Sequence, residues 1–407
     1  MASTVYGHRE KAPWQGASPA ELYKGMEELR EKISSLYSLN KAFMRCKSGR
    51  LWKPSVMDYF LHMNRYNYIL HKQLNGDTYR VKPCYHFTIY EPMKRNIQAP
   101  HLTDRVVQSS ICNNYLKEHL RYVFIRGNCA CQEGKGTDDA RNYFRELLRM
   151  YYRRYGTDGV VWKIDIRHYF ASIDGDCLDA INQKYIQDEW VISYMEQWGV
   201  RKGSKGLGLG AETNQFEAAL ALHPIDTFFK TVAGCRYYVR YQDDIMIILR
   251  NKEEVHRVQD MLIQQLAKQK LTLNQKKTRI FRLSAWYSFL GFNFTVTETG
   301  KVLMRIKAES VSRQRRRCRH QFNIIPSEDI EDSGTCWAAN ASKGNNYFIV
   351  KNTEAYIMEI VREKREQEKK IEASAARVEK LIANQEYIAM MVDVDLPDEG
   401  EKQEAAE

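Results

Sequence analysis

Three aspartates are the residues of this chain best suited to chemistry. Asp243 and Asp244 are adjacent in the stretch C-R-Y-Y-V-R-Y-Q-D-D-I-M-I-I-L-R, Cys235 to Arg250. Asp165 follows the apolar run V-V-W-K-I that begins at Val160. A carboxylate buried beside Trp162 and Ile164 is costly unless a cation offsets its charge. Carboxylate oxygens are hard donors. Two divalent cations held by them roughly 3.5–4 Å apart activate an attacking hydroxyl and stabilise a leaving pyrophosphate. The chemistry open to Asp165, Asp243 and Asp244 is therefore metal-assisted phosphoryl transfer. The competing reading is an ordinary solvated turn, since aspartate is common in turns.

The elements that must position these acids follow from the apolar pattern. Arg236 to Tyr241 and Ile245 to Leu249 are rich in β-branched and aromatic residues and are separated only by Gln242, Asp243 and Asp244. This predicts a hairpin with the carboxylates at its tip. The turn has no glycine, so turn geometry alone does not call for its acids. Val160 to Ile166 reads as a second strand with Asp165 at its far end. Upstream, Ser18-Pro19-Ala20-Glu21 is a capping box opening a helix with the stripe Leu22, Met26, Leu29, Ile33 and Leu36. A second helix is expected from about Pro54 to Leu74, and strand, turn, strand from Tyr85 to Pro100 with Lys94 and Arg95 on the turn. Further helices are expected over Asp138 to Tyr155, whose basic aromatic end contacts nucleic acid or solvent, and over Lys252 to Lys268. Another spans Phe216 to Phe229, with His223 and Asp226 as a local pair. Met1 to Ala17 reads as a flexible leader. Val361 to Glu407 reads as a solvated helix with a disordered acidic end.

With 407 residues and 43% hydrophobic content, the chain can bury sizeable cores in two or three subdomains. A net charge of +11, with basic residues interleaved among 25 tyrosines, implies a polyanionic partner, best met by nucleic acid. The nine cysteines contain no C-x-x-C pair, and Cys129-x-Cys131 alone is no zinc site. They read as reduced packing residues of a cytosolic protein. The N-terminus lacks an apolar signal region and no apolar run spans a bilayer, which argues against secretion and membrane insertion.

Asp165 to Phe170, D-I-R-H-Y-F, resembles the first palm motif of reverse transcriptases, and Tyr241-Gln242-Asp243-Asp244 is similar to their Y-x-D-D box. The resemblance runs from roughly Ser38 to Tyr356. It implies an α+β right-hand polymerase fold plus a helical C-terminal extension. The divisions would be an N-terminal leader and helix over 1–37, fingers over 38–158, palm with interleaved fingers elements over 159–300, thumb over 301–360, and a charged helical and acidic tail over 361–407. It also implies an RNA-directed DNA polymerase using two Mg2+ ions, with Mn2+ as the alternative, on template RNA, RNA/DNA hybrid and deoxynucleoside triphosphates.

Carried over by position, Arg95 would close on the triphosphate. Arg105 would contact template or nucleotide, unless it pairs with Asp104. Phe170 would exclude a 2′-hydroxyl, and Leu209, Gly210 and Gln215 would line the nucleotide pocket. Lys277, or its neighbour Lys276, would meet the leaving pyrophosphate. Phe289, Leu290 and Gly291 resemble the primer grip, where glycine would permit close approach to the primer. Lys135 lies in G-N-C-A-C-Q-E-G-K-G-T, which fails the P-loop spacing and reads as a loop facing nucleic-acid phosphate. Arg313, Arg315, Arg316 and Arg317 would bind RNA backbone at the start of the thumb.

The stretch G-L-G-L-G-A-E-T-N-Q, Gly206 to Gln215, departs from the P-Q-G-x-x-x-S-P of group II intron and retron enzymes. An aliphatic residue before the glycine and a terminal glutamine resemble the enzymes of diversity-generating retroelements, although Asn214 replaces the customary serine. That resemblance implies a bacterial or phage-encoded enzyme, error-prone opposite template adenine, with a small basic accessory protein. Retron, intron-derived and phage-defence enzymes are the alternatives within the class. A non-catalytic RNA-binding chaperone is the alternative outside it.

Overall fold

The structure, a computed structural model, describes residues 19–90 and 94–392. The expected leader, Ser18, the side chains of Glu21, Leu22 and Met26, and the acidic end lie outside the described residues. The chain divides into two units. One comprises Met1–Leu290 and Thr295–Val302, the other Gly291–Phe294 and Leu303–Glu407.

The first unit begins with α1 (Pro19–Ser34), α2 (Leu36–Lys47), α3 (Pro54–Leu61) and α4 (Met63–Asn75). The stripe expected to reach Leu36 in one helix stops a turn early: Ile33 is buried, whereas Leu36 is exposed and starts α2. The Ser35 side chain forces this break by accepting a hydrogen bond from Ser38 N as the N-cap of α2. The single helix expected from Pro54 to Leu74 is likewise two, divided at His62, whose ψ of 23° leaves the helical ladder. A ribbon follows, β1 (Tyr85–Ile89) antiparallel to β2 (Arg95–Ala99). Arg95 lies on the strand rather than the turn, and Glu91, Pro92 and Met93 lie outside the described residues. Then come α5 (Leu102–Ile111), a π-helical turn, α6 (Lys117–Val123) and α7 (Thr137–Tyr155).

The main sheet starts at β3 (Val160–Ile164). Between it and the acidic hairpin lie α8 (Tyr169–Ser172), α9 (Gly175–Tyr185), α10 (Glu189–Trp198), α11 (Glu212–Ala221) and α12 (His223–Thr227). The helix expected from Phe216 to Phe229 is thus interrupted, with Pro224 in the first turn of α12, where its missing N–H costs nothing. The hairpin is β4 (Tyr237–Tyr241) and β5 (Asp244–Leu249), followed by α13 (Lys252–Lys268) and β6 (Arg279–Arg282). The strand order is β4-β5-β3-β6, every neighbouring pair antiparallel. Alternation sets the two faces of the sheet. Trp162 and Ile164 in β3, with Ile245, Ile247 and Leu249 in β5, enter one core with Phe229 and Leu262. Lys163 alternates with them, and Asp165 continues its side of the strand.

After β7 (Tyr287–Phe289) the chain passes between the units in β8 (Phe292–Val296) and β9 (Val302–Ile306). The second unit packs α14 (Ala308–Gln321), α15 (Ser327–Ala341) and α16 (Tyr347–Val392) around Cys318, Ile330, Ile357 and Val361. The change of character expected at Val361 is a change of exposure within one unbroken helix of 46 residues. Glu368 ties this helix to the bundle, accepting from Ser327 N at 3.0 Å and Ser327 Oγ at 2.6 Å. No described helix is long and apolar enough to cross a membrane.

Candidate active site

The β3–β5 register sets Ile164 opposite Ile245, so one residue further on Asp165 comes abreast of Asp244. Residues directly opposite share a face. Tyr241 pairs with Asp244, which leaves Gln242 and Asp243 as the two-residue tip. The acids lie close enough to feel one another: burial pushes the Asp243 carboxyl above its usual range, and the charges of Asp244 and Asp165 push it further. Two of them have side-chain partners. Asp165 Oδ1 accepts from Asn274 Nδ2 at 2.7 Å, and Asp165 N donates to Thr278 Oγ1 at 3.3 Å. Asp244 Oδ1 is 3.4 Å from Lys163 Nζ, which also donates to the Ser288 carbonyl at 3.0 Å.

The tip is held in an unfavourable conformation. Gln242 has φ 52°, which costs a residue with a Cβ roughly 1–2 kcal/mol. Its neighbours over-determine it: Gln242 Nε2 donates to Gln215 O and Cys131 Sγ, both at 3.3 Å, and Gln242 O accepts from Arg240 Nη1 at 3.0 Å. Arg240 is itself fully buried with Asp226. Burial works against its charge, and the Asp226 carboxylate more than restores it, so the guanidinium is held above its ordinary range. Nε reaches Asp226 Oδ1 at 2.7 Å, Nη2 donates to Ala219 O at 3.0 Å, and the Tyr238 hydroxyl also donates to Asp226. The Asp226 carboxylate thus takes Arg240 and Tyr238 as partners, rather than the neighbouring His223 expected from the sequence. The loop after α6 is stitched to the same strand: Arg240 N donates to Gly127 O at 2.8 Å and Cys129 N to Arg240 O at 2.9 Å. A Cβ at Gly127 would meet the Tyr238 ring at 2.7 Å, so only glycine allows this approach.

A second constellation surrounds Leu209. Leu209 O accepts from Gln98 N at 2.7 Å, which ties β2 to the Gly206–Gln215 stretch. A Cβ on Gly210 would lie 2.2 Å from Gln98 O, so that glycine is required by the contact, whereas one on Gly208 would meet the movable Gln98 Oε1 at 2.2 Å. Asn214 is buried and donates from Nδ2 to Gly208 O at 2.9 Å and Trp198 O at 3.2 Å. The residue that departs from the customary serine is therefore the brace of this loop. Phe170 is half-buried nearby, its carbonyl accepting from Leu207 N at 2.8 Å. Arg105, Gly210, Glu212 and Gln215 line a cleft of about 170 Å³. Asp104, the alternative partner for Arg105, is instead buried, bonded to the Tyr79 hydroxyl and, at 3.1 Å, to Lys82 N.

Among the described residues no three His, Cys, Asp or Glu side chains form a ready metal cage. The donor set nevertheless fits a hard divalent cation. The mutual repulsion that raises the Asp243 carboxyl, and the ammonium already drawn to Asp244, are both relieved by added positive charge. The sequence profile of the reverse transcriptase (RNA-dependent DNA polymerase) family matches residues 93–294, which include all three acids. Those residues are a reverse transcriptase domain.

An RNA-directed DNA polymerase domain is a nucleotidyltransferase, and enzymes of this family use divalent metal ions. No curated protein matches the chain significantly. Three solved structures similar to it are telomerases. Apo telomerase from Candida tropicalis is 12% identical with TM-score 0.45, covering 74% of this chain and 59% of that one. The same enzyme truncated from its C-terminal domain is 14% identical with TM-score 0.42, covering 55% and 56%. Telomerase from Candida albicans in complex with a fragment of telomeric RNA is 10% identical with TM-score 0.44, covering 70% and 55%. The chain thus spans less than two thirds of the length of each.

The other expected site residues differ in their surroundings. Arg95, Lys276 and Lys277 are exposed. Lys135 turns inward, donating to Gln132 Oε1 at 2.7 Å, with burial and the Arg126 charge lowering its affinity for a proton. The basic end of α7 is structural in part: Tyr151 is buried and donates to Asp158 O at 2.8 Å, and Tyr152 donates to Glu298 O at 2.8 Å. Phe289 is buried beside Phe144. Leu290 and Gly291 both have positive φ, 45° and 86°, the pattern of a type I′ turn. No atom of the chain lies within 4 Å of a Cβ at Gly291, so within the protein the positive φ is what calls for glycine there. Arg141 fastens the turn, Nη1 donating to Leu290 O at 3.1 Å. In the second unit Arg313, Arg316 and Arg317 are exposed on α14, while Arg315 folds over the Tyr356 ring at 5.1 Å.

Sequence reasoning missed Lys163, Asn274, Arg240 and Gln98. Lys163 was detectable as the lone cation inside an apolar strand. Asn274 and Gln98 carried no local signal.

Proposed function

We propose that this protein copies template RNA into cDNA at the sheet edge bearing Asp165, Asp243 and Asp244, and does so with low fidelity, as the polymerase of a bacterial diversity-generating retroelement. The gathering of three carboxylates around an over-determined turn supports the catalytic reading. The aliphatic Leu209, braced beside Gly210, supports the low-fidelity reading. In this assignment α2–α7 with the β1–β2 ribbon serve as fingers, the main sheet as palm, α14, α15 and the start of α16 up to position 360 as thumb, and the rest of α16 as a charged tail.

Asp165, Asp243 and Asp244 would hold two Mg2+ ions, with Mn2+ able to substitute. When bound, these ions activate the primer 3′-hydroxyl and neutralise triphosphate charge. The chain's own contribution is placement. Arg240 and Gln215 fix the turn, Asn274 orients Asp165, and Lys163 links Asp244 to the strand leading into the Leu290-Gly291 grip. Arg95 offers a bidentate fork to phosphate oxygens, and Arg105 and Gln215 border the nucleotide cleft. Phe170 excludes a 2′-hydroxyl, and Lys277 or Lys276 neutralises the departing pyrophosphate. Leu209 offers a base pair no hydrogen bond, so discrimination there rests on shape alone. Arg313, Arg316 and Arg317 hold the RNA/DNA hybrid, and a basic accessory protein delivers the template.

The test is primer extension by purified protein on a defined RNA with Mg2+ and deoxynucleoside triphosphates, with products sequenced. Errors concentrated opposite adenine are expected. Uniform errors would return the chain to the retron or intron-derived group, product without template would mark a defence polymerase, and RNA-dependent function surviving Asp243→Ala would mark a chaperone.

A further inference from the structure

Residues 36–75 carry four lysines, three arginines and a single acid, Asp58. That acid is engaged, accepting from the Tyr66 hydroxyl at 2.8 Å and lying 3.2 Å from His62 Nδ1. The segment is α2, its linker, α3 and α4, and part of it packs inward through Phe43, Tyr59 and Leu70. Its outward residues are of another kind. Trp52 is 78% exposed, Tyr68 48% and Phe60 38%, although aromatics of this size are normally drawn into a core. Each lies beneath a lysine: Lys53 is 5.1 Å from the Trp52 ring, Lys47 4.5 Å from Phe60, and Lys72 4.9 Å from Tyr68. A cation over one face of an exposed ring leaves the rest of the ring to solvent.

We infer that the surface of α2, its linker, α3 and α4 is a second RNA-binding site, taking single-stranded RNA outside the catalytic cleft. Rings stack on unpaired bases, and lysines beside them meet phosphates on either side of each base. The charge balance decides against a protein partner: protein interfaces are depleted in lysine, whereas lysine interleaved with aromatics is the signature of a strand-tracking surface. RNA is the strand chosen because the chain contains an RNA-dependent polymerase domain, whose template extends beyond the nucleotides being copied. The site stands apart from the catalytic reading, since a protein silenced at Asp243 still presents it.

The experiment measures fluorescence anisotropy of a labelled unstructured RNA of about 20 nucleotides with the full chain, in saturating unlabelled RNA/DNA hybrid to fill the catalytic cleft. Combined Trp52→Ala, Phe60→Ala and Tyr68→Ala substitutions are expected to weaken binding at least tenfold, since each stacked base contributes about 1–3 kcal/mol. Combined Lys47→Gln, Lys53→Gln and Lys72→Gln substitutions are expected to lower the slope of log affinity against log salt by about 2. Extension of a short primer–template, unchanged in both variants, verifies that they fold. Unaltered RNA affinity in both would overturn the proposal and leave the surface to a protein partner. A DNA strand of the same sequence, bound as tightly and lost as completely, would overturn the choice of RNA.

Discussion

Arg240 and Arg316 carry the same charge and put it to opposite uses. Arg240 is wholly buried, with its fork turned on Asp226 and on backbone carbonyls, so none of its charge is offered outward. Arg316 stands exposed on α14 with Arg313 and Arg317. A buried charge that is paired and hydrogen-bonded adds little net stability, but removing one partner is costly, so it holds its surroundings to one arrangement. An exposed charge fixes nothing and is screened by salt, yet it draws a polyanion. The first unit thus uses charge to place the acids, and under the proposed function the second uses it for affinity.

The largest test of this contrast is at the acids themselves. Asp243→Ala should reduce primer extension by about a thousandfold or more, the equivalent of several kcal/mol of lost charge stabilisation. Asp243→Asn should do the same while raising Tm. The Asp243 carboxyl is pushed up in the folded state, so it binds its proton more tightly there than in the unfolded chain. Its contribution to stability is therefore present at low pH and lost as pH rises through the raised value. Thermal melts across that window should show wild-type protein losing stability relative to the asparagine variant, and a lower Tm for the variant would refute the electrostatic account.

Next in size is Arg240→Met, which strands Asp226 and should destabilise the fold by about 3–5 kcal/mol in urea unfolding. Adding Asp226→Leu should recover part of the loss, and no recovery would mean that the pair is not the unit it is taken to be. Replacing Arg313, Arg316 and Arg317 with glutamine should leave Tm unchanged and lower the salt slope of hybrid binding by about 3. A drop in Tm instead would place these arginines with Arg240. Smallest is Leu209→Gln, where one regained hydrogen bond should lower misincorporation opposite adenine by up to about tenfold in sequenced cDNA.

What could be read from the chain alone was whatever is written in short-range periodicity. The acidic hairpin, β3, the ribbon and α13 were visible because alternation and helical spacing repeat within a few residues. The breaks at Ser35 and His62 were not, because a cap or one turned dihedral overrides an apolar stripe that continues across it. The acids were legible as a set, but their supports were not. Asn274 meets Asp165 across 109 residues and Lys163 reaches Ser288 across 125. Asp226 was assigned to His223, three residues away, because proximity in sequence is the only proximity a sequence shows. The fold brings it to Arg240 instead.

The loop around Leu209 is held by a main-chain bond to Gln98, by two glycines fitted against that residue, and by the Asn214 brace. Substitutions at position 209 can therefore change the side chain this loop presents without removing any of these supports. Under the proposed function, copying accuracy would then be a trait that selection can raise or lower at position 209 while the rest of the polymerase stays unchanged.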